Sequence, residues 1–277
     1  MQNFTLHTHN GEQHFDGRAP AETMIAAAAA KGFAAIGVTN HLIVHPNIKQ
    51  NLEKEPMFFN NFADMEKTCR RHIEILQNLK GKYNIDIKIG FEPDFFTHKE
   101  WRTGFEKMLP RLEVDYLIGA GHFLKNEDES FLCNIYYLKD LNPRPDDTAL
   151  RRLVHNHYRN IEAAIRSGYF RFIAHLDYCA IFGLGEEEEF NEDKYRLITA
   201  LKETKTAFEI NTSGYDRINR PHPAPWIIRE LAHSGVKTVL SDDSHHPDHL
   251  GRHFAKAEAL LKELGWNPAD RLQLADL

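Results

Sequence analysis

No run of apolar residues in this 277-residue sequence approaches the ~20 needed to span a bilayer, and Ala26 to Ala30 reads as a short helix interior. Met1-Gln2-Asn3 leads directly into a strand with nothing resembling a signal peptide, so a cytoplasmic location is expected. Cysteine is scarce. Cys69, Cys133 and Cys179 are odd in number and far apart, which fits reduced structural thiols and no disulfide framework. Excess positive charge is missing too: a net charge of −6 and a pI near 6.3 argue against nucleic-acid binding by bulk electrostatics. With 42% hydrophobic residues the chain can bury a large core, and the unusual count is 17 histidines, more than packing needs.

Two of these, His7 and His9, alternate along the first expected strand, residues 5–9, so both imidazoles leave one face near its C-terminal end. Imidazole is a common ligand for transition metals, which makes the pair a candidate metal pincer. Further strands are expected over 33–38, 85–90, 116–120, 170–174, 207–210 and 236–240. Helices are expected over 20–30, 62–79, 101–112, 148–167, 193–203, 224–234 and 255–264, with Asp147 capping the fourth and Gly168 stopping it. Residues 45–60 read as polar and irregular, 125–147 as a long excursion or lid, and Glu186 to Glu189 as a solvated helix start.

Seven strands alternating with helices imply a parallel sheet, closed or open, and no linker divides residues 1–277, so one domain is expected. An open sheet would gather its functional residues at one switch point, whereas all seven strands here end in polar groups. A barrel, whose site is built from the loops after its strands, is therefore the better reading.

The strand-end residues are His7, His9, His14, His41, Glu92, His122, His175, Asp243 and His245. Their order, with His14-Phe15-Asp16-Gly17, Gly90-Phe91-Glu92-Pro93-Asp94-Phe95, Gly121-His122-Phe123-Leu124, His175-Leu176-Asp177 and Glu209-Ile210-Asn211-Thr212-Ser213-Gly214, resembles the PHP (polymerase and histidinol phosphatase) family, histidinol-phosphatase branch. The resemblance implies a distorted (β/α)7 barrel, an α/β fold, with two or three divalent ions. His7, His9, Glu92 and Asp243 would hold one, Glu92, His122 and His175 a second, and His14, His41 and His245 a third. A mixed nitrogen and oxygen set suits Zn, Mn or Fe. Three such ions would outweigh two carboxylates and draw a phosphomonoester dianion into the pocket.

The expected reaction is hydrolysis of L-histidinol phosphate, a step of histidine biosynthesis, by attack of a metal-bridging hydroxide on phosphorus. Asp16, Asp177 or a bound water would protonate the leaving alcohol. The family's usual carboxylates stand as Thr5 and Asn40 here, and these can still accept a hydrogen bond from imidazole. The basic residue usual after His-Leu-Asp is replaced by Tyr178-Cys179-Ala180-Ile181-Phe182, which moves the phosphate clamp to Arg217 or Arg220. Asn211 is either a substrate contact or a turn former, and Asp242 a residue that orients the last ligands. His72, His155, His157 and His233 read as helix packing or surface residues; His45, His98, His222, His246, His249 and His253 lie near strand ends. Two alternatives remain: a phosphoesterase for a nucleotide, oligonucleotide or other phosphomonoester, and a metal-binding barrel without catalysis. Oligomeric state is not readable.

Overall fold

The computed structural model describes residues 2–48 and 57–277, with the backbone but not the side chain of His14. Seven strands follow in chain order: β1 Phe4–Thr5, β2 Ala35–Val38, β3 Asp86–Pro93, β4 Tyr116–Gly119, β5 Phe172–Ile173, β6 Ala207–Asn211 and β7 Thr238–Ser241. Each pairs in parallel with the next. Every residue of β2 and β6 is buried, as a parallel sheet covered on both faces requires. The ends of the sheet meet where Thr8 bridges Ser244 and the His9 amide donates to the Ser244 carbonyl at 2.8 Å. At the other end of the seam, the Gln2 side-chain amide donates to Leu240 O at 2.7 Å and accepts from Leu240 N at 3.1 Å, standing in for a strand residue. The sheet is thus a nearly closed seven-stranded barrel with helices around it.

Helix α1 spans Ala21–Ala30, α2 Phe62–Leu79, α3 Lys99–Met108, α4 Asp147–Ser167 and α5 Asn191–Thr204, with further helices at Pro225–Leu231 and Phe254–Glu263. Helix α2 buries Met65, Cys69, His72, Ile73, Leu76 and Leu79, one face at helical spacing, and Asn61 caps it by accepting from Asp64 N. Among the described residues no helix is long and apolar enough to cross a membrane.

Several boundaries differ from the sequence reading. Asp146, not Asp147, caps α4, its carboxylate accepting from Ala149 N at 2.7 Å; Asp147 already lies in the helix. The second strand region breaks at Thr39-Asn40, and a new short strand, His41–Val44, pairs with the end of β3 in a register that sets His41 against Glu92. Of residues 45–60, 49–56 lie outside the described residues, while Phe58–Phe59 pairs with His41–Val44. The excursion at 125–147 begins as a hairpin of Phe123–Lys125 and Leu132–Asn134, then forms a 3-10 turn at Ile135–Asp140. Leu132, Cys133, Ile135 and Leu138 bury it in the core, and Glu129 accepts from Lys125, His45 and Thr97. Glu186 to Glu189 are exposed ahead of α5, as expected.

His72 is wholly buried in α2 between Phe15 and Phe91, and burial lowers its pKa to about 4. A histidine in the unfolded chain titrates near ~6.5, so the unfolded state binds the extra proton as pH falls below that value. Stability from this group is complete above pH ~6.5 and is lost towards pH ~4, by at most about 3 kcal/mol. Urea unfolding at pH 7 and pH 5 should show a weaker pH dependence in His72→Gln than in the wild type.

Candidate metal centre

The carboxylate of Glu92, near the end of β3 and fully buried, lies at the hub of five imidazoles. Its Oε2 is 2.8 Å from His41 Nδ1, 3.4 Å from His7 Nε2 and 3.6 Å from His9 Nε2. Its Oε1 is 3.0 Å from His175 Nε2 and 3.6 Å from His122 Nε2. Asp243 closes the pincer of His7 and His9, its Oδ1 at 3.6 and 3.2 Å from their Nε2 atoms. It does so from φ +47°, a left-handed backbone that costs about 1 kcal/mol or more for a residue with a side chain and is concentrated at functional sites. His245 completes the rim. Asp16, held in the turn after His14, comes within 3.1 Å of His245 Nε2, 3.5 Å of His41 Nε2 and 3.8 Å of His9 Nδ1. Sequence reasoning placed Asp16 as a proton donor; the structure brings it into ligand range, among imidazoles that outweigh burial and hold it well below the usual carboxylate range.

Many donor atoms here have no hydrogen-bond partner among the described residues although they are sealed from solvent: His7 Nε2, both nitrogens of His9, His41 Nδ1 and Glu92 Oε2. Burying such groups unpaired is costly, and here they face one another, which suits cations between them. The field agrees. At His7 burial disfavours the charged form, but Glu209, Glu92 and Asp243 outweigh it and raise its affinity for a proton. A position that attracts a proton against burial attracts a divalent ion more strongly. Among the described residues four groups of ligand atoms stand close enough to share an ion: His9, Asp16, His41 and His245; His7, His9 and Asp243; His7, Glu92 and His175; and His41, Glu92 and His122. The residues present therefore fit a multinuclear metal centre.

The cavity over these residues, about 390 Å³, is lined by the apolar and aromatic Ile43, Phe58, Tyr136, Tyr137 and Tyr178 and by the basic Arg18, Arg217, Arg252, His246 and His249. Tyr178 rests its ring 4.7 Å from those of both His122 and His175. Arg217 is exposed at the cavity wall and makes no ion pair among the described residues. Arg220 is engaged elsewhere, with Asp177 Oδ2 at 2.9 Å and Glu186 Oε1 at 2.7 Å. Asn211 is buried, donating to Glu209 at 3.0 Å and to Asp243 at 3.3 Å, which makes it a support for the ligands. Asp242 is buried and accepts from Gly251 N at 2.7 Å.

The residues that aim the ligands were not legible as such. His7 Nδ1 donates to Glu209 at 2.6 Å, and Glu209 Oε2 also accepts from the His175 amide at 2.8 Å. His122 Nδ1 donates to Asp94 at 2.9 Å. Among the described residues neither Thr5 nor Asn40 bonds a ligand imidazole: Thr5 Oγ1 has no hydrogen-bond partner there, and Asn40 links Asn10 N at 2.8 Å to His72 Nε2 at 3.1 Å. The available signal was a charged residue inside the otherwise apolar strand Ala207-Phe208-Glu209-Ile210, a placement that a fully covered parallel sheet rarely permits. Such outer carboxylates typically govern metal affinity ~10–100-fold. Glu209→Gln should lower divalent-metal affinity by that factor in a chelator-competition titration.

A family model described as PHP domain matches residues 5–213. A protein of Deinococcus radiodurans named probable histidinol-phosphatase is 30% identical over 198 residues, 69% of this chain and 69% of its own. A crystal structure from Listeria monocytogenes shares the fold with a TM-score of 0.73 at 18% identity, over 91% of this chain and 99% of that one. The histidinol phosphate phosphatase of Lactococcus lactis, solved with Zn, L-histidinol and phosphate, gives 0.66 at 20% identity, over 98% of this chain and 95% of its own. Fold, ligand order and family match agree, and this chain belongs to the PHP domain family.

Proposed function

We propose that this protein is a metal-dependent phosphomonoesterase whose substrate is L-histidinol phosphate. The observation that carries this reading is the set of buried, unpartnered nitrogen and oxygen atoms around Glu92, open to a cavity with cationic groups on its wall. The Deinococcus relative's name and the Lactococcus ligands support the choice of ester. In this reading His7, His9, Glu92 and Asp243 hold one ion, Glu92, His122 and His175 a second, and His41, His245 and Asp16 a third, with His14 assigned to the last by sequence alone. Zn, Mn and Fe all suit that donor chemistry. Divalent ions held there would supply hydroxide at neutral pH by lowering the pKa of a bound water from ~15.7 towards ~7, and would offset charge on the phosphoryl oxygens.

The chain's own groups do the rest. Arg217 draws and orients the ester dianion from the cavity wall. The tyrosines of the lining, Tyr136, Tyr137 and Tyr178, cover the organic group and keep bulk water from the phosphorus. Water adds to phosphorus, the bond from phosphorus to the alcohol oxygen breaks, and phosphate and alcohol leave with no phosphorylated side chain. A nucleotide is the second reading, favoured by the aromatic wall, on which a base can stack.

Phosphate release from L-histidinol phosphate, beside a panel of nucleotides and sugar phosphates, tests the reading. Chelation should abolish turnover and Zn or Mn should restore it, with kcat/KM for histidinol phosphate at least ~100-fold above the panel, about 2.7 kcal/mol of discrimination. A nucleotide leading the panel would leave the metal chemistry standing and replace the substrate. Hydrolysis in 18O water should label phosphate and leave the alcohol unlabelled. Arg217→Ala should raise KM ~10-fold, about 1.4 kcal/mol of lost ester binding, whereas Arg220→Ala, already paired to carboxylates, should move KM far less.

A further inference from the structure

Hydrolysis of an alkyl phosphate ends on an alkoxide that must gain a proton, and the two carboxylates suggested by sequence are badly placed to give one. Asp16 lies among three imidazoles within 3.8 Å. Asp177 accepts from three donors, His222 Nδ1 at 2.5 Å, Arg220 Nη1 at 2.9 Å and Ala224 N at 2.9 Å. Both oxygens of Asp177 are thus taken, and the residue is not among those that line the cavity.

The imidazole it holds is different. His222 is 2% exposed and lines the same cavity as His122, His175, Asp243 and Arg217. Its backbone is pinned to the end of β6, His222 N donating to Asn211 O at 3.0 Å and Asn211 N to His222 O at 2.8 Å. Its ring lies against Gly214, where a Cβ would stand 3.0 Å from Cδ2 and 2.5 Å from Arg220 O, so only glycine permits this approach. With Nδ1–H donated to Asp177, the second nitrogen, Nε2, has no hydrogen-bond partner among the described residues. An anionic partner on Nδ1 fixes ring and tautomer, the arrangement by which a carboxylate prepares a histidine for proton transfer.

Building on the phosphomonoesterase reading, we infer that His222 is the general acid of the reaction and Asp177 its positioning residue. As the bond from phosphorus to the alcohol oxygen breaks, its electron pair stays on that oxygen, which takes the proton from Nε2. The imidazole is left neutral, and the proton released by the attacking water restores it through solvent.

An alkoxide leaving group needs this proton and p-nitrophenolate does not, so the two esters separate the roles. With the Zn- or Mn-loaded protein, His222→Asn should lower kcat on L-histidinol phosphate ~100-fold or more and on p-nitrophenyl phosphate far less, since general acid catalysis contributes ~10²–10⁴. Asp177→Asn should show the same contrast at smaller amplitude. The ratio of the two rates is independent of the folded fraction, and Asp177→Asn serves if His222→Asn does not fold. In 15N-labelled metal-free protein a downfield Nδ1–H proton assigned to His222 should be present and should vanish in Asp177→Asn. Equal losses on both esters, or no such proton, would overturn the inference while leaving the phosphatase reading intact. A wild type inactive on every ester with metal bound would overturn the phosphatase reading, and this inference with it.

Discussion

A desolvated carboxylate, Glu92, held against five imidazoles, is the constraint on which the rest of the site depends. A buried charge is tolerable only when it is paired, and pairing to so many rings demands that each arrive from a different direction. A barrel meets that demand because its strands converge at one end. His7 and His9 come from the segment after β1, His41 from the start of its own short strand, His122 from beyond β4 and His175 from beyond β5. Strand β3 runs to Pro93, so Glu92 sits within the ladder, its backbone held in register with His41.

Around this hub stands an outer set of carboxylates. Glu209 holds His7, Asp94 holds His122 and Asp177 holds His222, each through Nδ1, which leaves Nε2 free to act. The same physical device thus serves two purposes. On His7 and His122 it fixes the tautomer and orientation of a prospective ligand. On His222, whose ring lies on the wall of the cavity, it prepares a proton donor instead.

The replacement of acidic residues at Thr5 and Asn40 is also explained by this outer set. The orienting role on His7 falls to Glu209 from β6, and Asn40 instead ties the turn after His9 to helix α2 through Asn10 and His72. Losing a carboxylate next to a ligand in sequence therefore does not mean losing it in space.

Local pattern carried much of the architecture. Alternation of apolar strands with helices of regular period was enough for the seven-stranded barrel, because both periods are properties of adjacent residues. Most of the histidines and carboxylates gathered around Glu92 were legible for the same reason, since most lie at or just after the end of a recognisable strand. Chain contacts across the barrel decided what remained: that Asp16 approaches His41 and His245, that Arg220 is taken by Asp177 and Glu186 while Arg217 is not, and that Glu209 reaches His7 across 202 positions of sequence. A side chain's type follows from the sequence; whether its hydrogen bonds are already satisfied by a distant neighbour, and so whether it is left to bind metal, phosphate or proton, follows only from the closed barrel.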